Sequence, residues 1–400
     1  MQLFGEIETQ HGKSKAMLCV DDDCKQEWML HMWEGGAQKI ALLCDATVNA
    51  DTVTLRPKLL YRPNSSQSMH LPSLSNEEVA MMQETTAVLK HTETGYIGQW
   101  KGPTGEGTIT LHEPKAQALD AEVCNSWDEF STWAQRVRID HEAVIFRGHG
   151  DRQFKLKTTL HRQHRNRMER YCLDVLPRFK SRAEATMGMR FDFNNGEDYA
   201  TVLGLAQHHG LPTPMLDWTE SPYVAAFFAF SDTLAWGDIR RDVTHVRVFA
   251  LTRKFVQMTS PATVSIPQIN HYVSSLQIAP IHNPRLLAQQ GRFLVTNVSD
   301  LESFLLWGQE HAAEKFLVAV DMPVHLAVQV LEDLAYMGLH AGNLFPGLDG
   351  VSTMLKHEMV FTRHRIAPAG MPVSSAIGTS NSDDKEQEAE LDARPKPEWE

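Results

Sequence analysis

Polar residues at the ends of predicted strands and helices could bind and act on an anionic ligand. Arg147 follows a short predicted strand, Asp217 and Thr219 stand just before a helix, and Gln289 lies in a turn. An arginine fork binds paired phosphate oxygens through two charge-assisted hydrogen bonds. A carboxylate stabilises positive charge that develops during bond cleavage, while hydroxyl and amide groups hold ligand hydroxyls. These residues predict a polar, arginine-bearing pocket, provided that the fold brings the element ends together.

Each of these residues also has a structural interpretation. The arginine could be an ion-pair partner of Asp217, and Asp217 could instead cap the helix that follows it. Trp218 is an ordinary core residue type, and Gln289 could bond the backbone of its own turn. His208 and His209 precede a Gly-Leu-Pro turn, where they are expected to satisfy backbone groups rather than bind a metal. The sequence leaves both interpretations open.

A basic segment, residues 152–180, follows the predicted strand and could bind a nucleic acid. Its cations include Arg152, Lys155, Lys157, Arg162, Arg165 and Arg167. Clustered lysines and arginines bind phosphate backbones, whereas the structural alternative is a solvated helix face. No RNA-binding motif with interleaved aromatic residues accompanies the segment, so the sequence gives no support for base specificity.

Composition is typical of folded domains. The chain has 400 residues, 42% of them hydrophobic, and a net charge of −12. No apolar run reaches the roughly 18 residues of a membrane span, and the N-terminus lacks a secretory signal, so we predict a cytoplasmic protein. Five cysteines without a CxxC pair predict reduced thiols and no metal site. Walker and GxGxxG motifs do not occur, which argues against a kinase or a Rossmann oxidoreductase.

The pattern of elements predicts an α+β protein with two folded units. Residues 1–113 contain short apolar runs broken by Asp, Asn and Gly, which is typical of a small antiparallel β domain. We expect a linker at 114–124, a mixed α+β domain at 125–367 and a disordered acidic tail at 368–400.

Local signals place several elements in these units. We expect one helix around residues 75–89 and a second helix that starts at the capping box of Ser126. The strand Ala143–Phe146 should lead directly into the arginine. Thr219 or Ser221 should cap a later helix.

Three segments of the second unit resemble the FRG domain family. The first is Phe146-Arg147-Gly148, the triplet that names the family, the second runs from Ala206 to Ala229, and the third from Leu344 to Gly350. A triplet alone is weak evidence, whereas the long second segment in order with the others is specific. Pro214 stands where members commonly have a basic residue, and Gly347 where they commonly have aspartate. The resemblance implies that the mixed α+β domain is an FRG domain.

The order of these parts also resembles, more distantly, that of the ADP-ribosyltransferase superfamily. This resemblance implies NAD as co-substrate, with its pyrophosphate on Arg147, where Gly148 would let the ligand approach the backbone. It also implies a ribose hydroxyl on Thr219 and a charge-stabilising carboxylate at Asp217. Gln289 stands where the superfamily often has a glutamate, and an amide cannot accept a proton as a carboxylate does. Implied stacking partners of the nicotinamide ring are Trp218, Tyr223 and His208.

These resemblances imply an ADP-ribosyltransferase of toxin–antitoxin or antiviral defence systems. Its catalytic residues would be Arg147, Asp217, Thr219 and Gln289. The basic segment favours nucleic acid over protein as the acceptor, and an antitoxin or regulatory protein is an expected partner. The alternative is a non-catalytic module that binds a ligand or a nucleic acid, which the missing glutamate favours.

Overall fold

Two β-sheets with surrounding helices form the part of the chain that the structure describes. This structure is a computed structural model, and it describes residues 1–10, 12–34, 39–65, 67–234, 242–259, 266–279 and 283–366. The predicted acidic tail at 368–400 lies outside the described residues. The predicted mixed α+β class is confirmed.

The N-terminal unit is an antiparallel sheet that closes on itself. Its strands are β1 (Gln2–Thr9), β2 (Gly12–Val20), β3 (Glu27–Trp33), β4 (Ile40–Asn49), β5 (Thr52–Pro63), β6 (Met69–His70), β7 (Thr86–Thr92), β8 (Gly95–Gly102) and β9 (Gly105–His112). Eight of them follow the order β4-β3-β2-β1-β9-β8-β7-β5, and β5 pairs back onto β4. Leu18, Leu30 and Leu111 are among the buried side chains that fill the interior. The predicted antiparallel β domain is therefore confirmed.

The helix predicted near residues 75–89 is shorter than expected. Helix α1 (Asn76–Glu84) begins at a capping box in which Ser75 and Glu78 bond each other's backbone. It ends at Thr85, because the following residues enter β7 and pair with β5 and β8. The strand pairing there overrides the helical pattern of the sequence.

The second unit contains a seven-stranded mixed sheet. Its strands are β10 (Glu122–Val123), β11 (Ala143–His149), β12 (Met215–Thr219), β13 (His245–Thr252), β14 (Val273–Leu276), β15 (Gly291–Thr296) and β16 (Leu317–Pro323). They follow the order β10-β16-β13-β11-β12-β15-β14. Only the β10–β16 pair is parallel among these described strands. The segment predicted as a linker contains β10 and buries Leu119, so it is packed against the domain.

Helices cover both faces of this sheet. They are α2 (Trp127–Asp140), α3 (Thr159–Arg162), α4 (Met168–Arg170), α5 (Leu176–Met187), α6 (Gly196–His208), α7 (Pro222–Asp232), α8 (Arg253–Met258), α9 (Pro284–Ala288), α10 (Leu301–Ala312), α11 (Ala327–Tyr336), α12 (Ala341–Leu344) and α13 (Leu348–Ile366). A π-helical turn (Tyr171–Val175) joins α4 to α5, and a 3₁₀ turn (Val324–Leu326) precedes α11. Ser126 caps α2 as predicted, although Glu129 bonds the backbone of Asn125 instead.

Alternation along the strands divides the core into two layers. On β11, Phe146 faces the cluster formed with α2, α7 and α11, whereas Ile145 faces the cluster under α8 and α10. A third cluster packs α5 and α6 on β12, β14 and β15. No helix in the described part of the chain has the length and hydropathy of a membrane span.

The two units meet at a buried polar interface. The Gln2 side chain donates to the Asn297 carbonyl (2.7 Å) and accepts from the Ser299 amide (2.8 Å). Asp21, 1% exposed, accepts from the backbone amides of Asn166 and Arg167 at 2.6 and 2.9 Å. Buried groups with direct partners fix relative orientation, so the N-terminal sheet is packed firmly against the second unit.

Candidate functional site

The strands β11 and β12 hardly pair, and the predicted site lies where they separate. Their ladder contains one residue pair, Phe146 with Thr219. Beyond it, the Arg147 guanidinium donates from Nη1 to the carbonyl oxygen of Asp217. We call the place where Arg147 and Asp217 face each other the β11–β12 junction. The strand predicted to end at Phe146 extends in the structure through Arg147 and Gly148 to His149.

Arg147 is a half-buried cation with neutral hydrogen-bond partners. Its Nε donates to His149 Nε2 at 3.0 Å. Burial lowers the pKa of Arg147 to about 10, opposed by the Asp217 charge and assisted by Arg162. The guanidinium remains charged at neutral pH. It forms no ion pair with any described carboxylate, and the two N–H groups of Nη2 have no acceptor there.

His149 is held as the neutral imidazole that Arg147 requires. Since Nε2 accepts from Arg147, the ring proton lies on Nδ1, which donates to the Phe154 carbonyl at 3.2 Å. Burial and the neighbouring Arg147 charge hold the pKa of His149 well below its usual value. A second positive charge is thereby kept out of the junction. Sequence reasoning missed His149, although its spacing from Arg147 in a strand places both on one face.

Asp217 is oriented by a glutamine and not by a cation. Its Oδ2 accepts from Gln207 Nε2 at 2.9 Å, and the carbonyl of that same amide accepts from the Thr213 hydroxyl. Arg147 bonds the main-chain oxygen of Asp217, so the proposed ion pair between the two residues does not form. Helix α7 is capped by the Ser221 hydroxyl, which accepts from the Val224 amide, so the capping interpretation of Asp217 is also wrong.

Thr219 and Gln289 connect the junction to the C-terminal helices. The Thr219 hydroxyl donates to the Gln289 carbonyl (2.7 Å) and accepts from the Ser221 amide (3.1 Å). The Gln289 side chain donates to the Leu344 carbonyl at 3.0 Å. Thr219, 3% exposed, is therefore a structural link, and a ribose hydroxyl cannot reach it without displacing these bonds. The three segments that carry the family resemblance thus meet at this junction.

Gly148 serves packing instead of ligand approach. A Cβ at this position would lie 1.9 Å from the Ala225 carbonyl oxygen and 2.8 Å from the Ala229 amide nitrogen. Helix α7 thus occupies the space that a ligand was expected to use. Glycine is required because only a missing side chain lets the helix backbone approach the strand this closely.

The two predicted aromatic platforms in this segment are also structural. Trp218 is 3% exposed and belongs to the core cluster that contains Phe249. The Tyr223 ring packs edge-on against Trp127 and Phe130, and its hydroxyl lies 3.0 Å from Ser131 Oγ. Trp218 therefore offers no face to nicotinamide, and the Tyr223 ring is engaged by the core residues of α2. Strand alternation buries Trp218, and the aromatic residues of α2 cover Tyr223.

His208 lies at the end of α6, half-buried and close to α9. Its ring centroid is 4.8 Å from that of His209, and burial lowers its pKa, with the charge of Arg285 adding to the effect. The Arg285 guanidinium in turn stacks over Phe345, 5.1 Å from the ring centroid. The structure therefore places His208 beside the Gln289 side of the junction.

Some cations of the basic segment form ion pairs in the interface between the two units. Arg165 pairs with Asp23 at 3.0 Å, and Arg167 pairs with Glu27 at 3.0 Å and with Glu169. The Arg167 side chain is only 2% exposed, so a nucleic acid cannot reach it, and this part of the prediction is corrected. The pairs with Asp23 and Glu27, which lie 142 and 140 residues earlier, cannot be found from local pattern.

The other predicted cations remain closer to solvent. Arg152 and Lys155 make only long ion pairs, 4.0 Å to Asp321 and 3.9 Å to Glu302. Arg162 and Lys157 form no ion pair with another described residue. Arg162 lies close enough to lower the pKa of both Arg147 and His149. The structure therefore brings Arg162 to the junction.

Two cavities lie elsewhere in the described residues. One of about 270 Å³ is lined by α7, α11 and α13, with Phe227 and His357 among its walls. An open groove of about 770 Å³ lies beside the start of β11 and includes Glu142, Glu220 and Arg253. Neither is lined by Arg147 or Asp217, so neither corresponds to the predicted pocket.

Comparison with known proteins identifies one domain. The family model of the FRG domain matches residues 142–236, a stretch that contains Arg147, His149, Gln207, Asp217 and Thr219. Gln289 and the Leu344–Gly350 segment lie outside this match. Searches of curated proteins and of solved structures found no match to the chain.

Proposed function

From the FRG domain that this chain carries at residues 142–236, we propose an NAD-dependent ADP-ribosyltransferase that modifies a macromolecule, nucleic acid in preference to protein. One observation carries the proposal. At the β11–β12 junction a cation, Arg147, lies close enough to the Asp217 carboxylate for that charge to act on its pKa, yet the two form no ion pair. A half-buried cation such as Arg147, left without an ion-pair partner among the described residues, is costly and is typical of ligand sites, and the exposed Asp217 lies close to it.

NAD suits this arrangement because it presents opposite charges at separate places. Its pyrophosphate is anionic and matches the free Nη2 of Arg147, with Arg162 close by. Its ribose becomes positive as the nicotinamide leaves, and a carboxylate stabilises that charge. Asp217 is oriented for this role by Gln207, which holds one carboxylate oxygen and leaves the other free of bonds to described residues.

The chain's residues would divide the reaction as follows. Arg147 and Arg162 hold the pyrophosphate while the bond between ribose C1′ and the nicotinamide nitrogen breaks, its electron pair leaving with nicotinamide. An acceptor oxygen or nitrogen then forms a bond to C1′ and loses its proton to Asp217 or to water. His149, neutral and fully engaged, positions Arg147 without entering the chemistry.

Such an activity suits a toxin of a toxin–antitoxin or antiviral defence system. NAD and nucleic acids are both abundant in the cytoplasm, where the proposed enzyme would act. An antitoxin or other regulatory protein would be needed to restrain it. Support for this role comes from the FRG family resemblance together with the cationic surroundings of Arg147.

Labelled NAD tests the proposal directly. Purified protein is incubated with NAD and a mixture of cellular RNA, DNA and protein, and both nicotinamide release and transferred label are measured. Arg147→Met and Asp217→Asn should each lower nicotinamide release by roughly 100-fold or more, because each removes charge stabilisation in the transition state. Arg178→Met is the matched control, since the Arg178 side chain is 63% exposed and, among the described residues, pairs only with Asp174.

A second candidate is a module that binds such a ligand without cleaving it. Gln289 stands where the superfamily commonly has glutamate, and its side-chain amide donates a hydrogen bond to the Leu344 carbonyl. Folded wild-type protein that binds NAD but releases no nicotinamide would establish this alternative and end the enzymatic proposal. If wild type and Arg147→Met release nicotinamide equally, the β11–β12 junction is neither the catalytic site nor the ligand-binding site.

A further inference from the structure

A loop of residues 150–157 lies directly beside Arg147, and its backbone is tightly anchored. Asp151 Oδ1 accepts from the Gln153 amide at 2.9 Å, and the Arg152 amide donates to the His245 carbonyl at 3.0 Å. His149 binds the Phe154 carbonyl, and Leu156 is fully buried. A loop fixed at both ends in this way presents its remaining side chains in a defined position.

Phe154 is the exception in this loop, because the residue is 42% exposed although its backbone is fixed. Its ring centroid lies 6.4 Å from that of His149, the residue that holds Arg147. A large aromatic side chain on a rigid loop, separated from the candidate site by one imidazole, is placed to contact whatever approaches Arg147.

Cations without close partners lie on the same loop as this ring and beside Arg147. Arg147, Arg162 and Lys157 form no ion pair with a described residue. Arg152 and Lys155, which flank Phe154 in the chain, make only long pairs. An exposed aromatic ring among unpaired cations has the two components that single-stranded nucleic acids require, a stacking platform and a positively charged track.

We propose that Phe154 stacks on a base of a single-stranded nucleic acid whose phosphates bind Arg152, Lys155 and Lys157, beside the proposed NAD site at Arg147. A duplex keeps its bases stacked on each other, so one isolated ring selects unpaired bases. One ring is too small an apolar patch for a stable protein interface, which favours nucleic acid over an acidic protein. This inference rests on the proposed function, since it names the acceptor for the ADP-ribosyl group.

Binding is measured by fluorescence anisotropy with labelled single-stranded RNA and DNA oligonucleotides of mixed sequence, with a duplex as comparison. Phe154→Ala should weaken single-strand binding roughly 5- to 100-fold, the range for loss of one stacked base, whereas Phe154→Tyr should bind as wild type. Tyr336→Ala is the control, because Tyr336 is an aromatic residue of α11 that is 81% exposed. Lys155→Ala should reduce the salt dependence of binding by about one phosphate contact.

The inference is overturned if wild type binds no oligonucleotide, if Phe154→Ala binds as tightly as wild type, or if duplex and single strand bind equally. Its failure is distinguishable from that of the enzymatic proposal. Nicotinamide release with water as the acceptor requires Arg147 but not Phe154. Label transferred to protein, with Phe154→Ala unaffected, would likewise refute the nucleic-acid acceptor while leaving the transferase intact.

Discussion

Gly148→Ala separates a structural role of Gly148 from a ligand-binding role. The added Cβ would lie 1.9 Å from the Ala225 carbonyl oxygen, whereas contacts below 3.0 Å are essentially never seen. Helix α7 must therefore retreat by about 1.1 Å, the difference between these distances. The clash is with backbone, so no rotamer change relieves it, and Phe227 and Phe230 on this helix lie in the core.

The expected cost is about 3 kcal/mol or more, at or beyond the upper end of ordinary overpacking, because the main chain itself must shift. Urea denaturation followed by tryptophan fluorescence measures it. Gly196→Ala is the control, because a Cβ there meets nothing within 4 Å at the start of α6. That variant should be as stable as wild type or slightly more so. A Gly148→Ala protein within about 0.5 kcal/mol of wild type would refute the packing role, since surface-like substitutions fall in that range.

Two further predictions concern buried ionisable groups. Burial lowers the pKa of His161 to about 3, so only the unfolded chain takes up its proton as pH falls below the ordinary value of 6.5. Between pH 7 and pH 5 this residue alone should cost about 2 kcal/mol of stability. His161→Gln should reduce the acid-induced loss in urea denaturation at the two pH values by that amount, and an unchanged pH dependence would contradict it. Arg167→Met leaves the buried Glu169 carboxylate without its cation and should cost about 3–5 kcal/mol. Arg178→Met removes an exposed pair and should cost under about 1 kcal/mol, so equal losses in the two variants would disprove the importance of burial.

Local patterns predicted much of the fold correctly. The cap at Ser126, the cap at Ser221 and the strand that starts at Ala143 all follow from side-chain chemistry near each element. The long match around Asp217 located the FRG segment, and the family model confirms it. These signals succeed because capping and alternation depend on neighbours in the chain.

Contacts between distant segments could not be predicted in this way. Nothing in the sequence around Arg167 indicates that Glu27, 140 residues earlier, would pair with it. The role of Gln207 in orienting Asp217 depends equally on how α6 packs beside β12. Cations that looked like one basic track therefore divide into an interface set and a set close to the junction, a distinction that only tertiary structure makes.

The three residues of the Phe146-Arg147-Gly148 triplet have different roles. Strand alternation sends Phe146 and Gly148 to the face covered by α7, where the phenyl ring fills the core and the missing side chain admits the helix. Arg147 points to the other face, bonded to His149 and to the Asp217 carbonyl. The two outer residues fix the strand against α7, and this contact holds the guanidinium at the junction. Loss of either outer residue should therefore reduce activity through stability, whereas loss of Arg147 should reduce activity in a protein that remains folded.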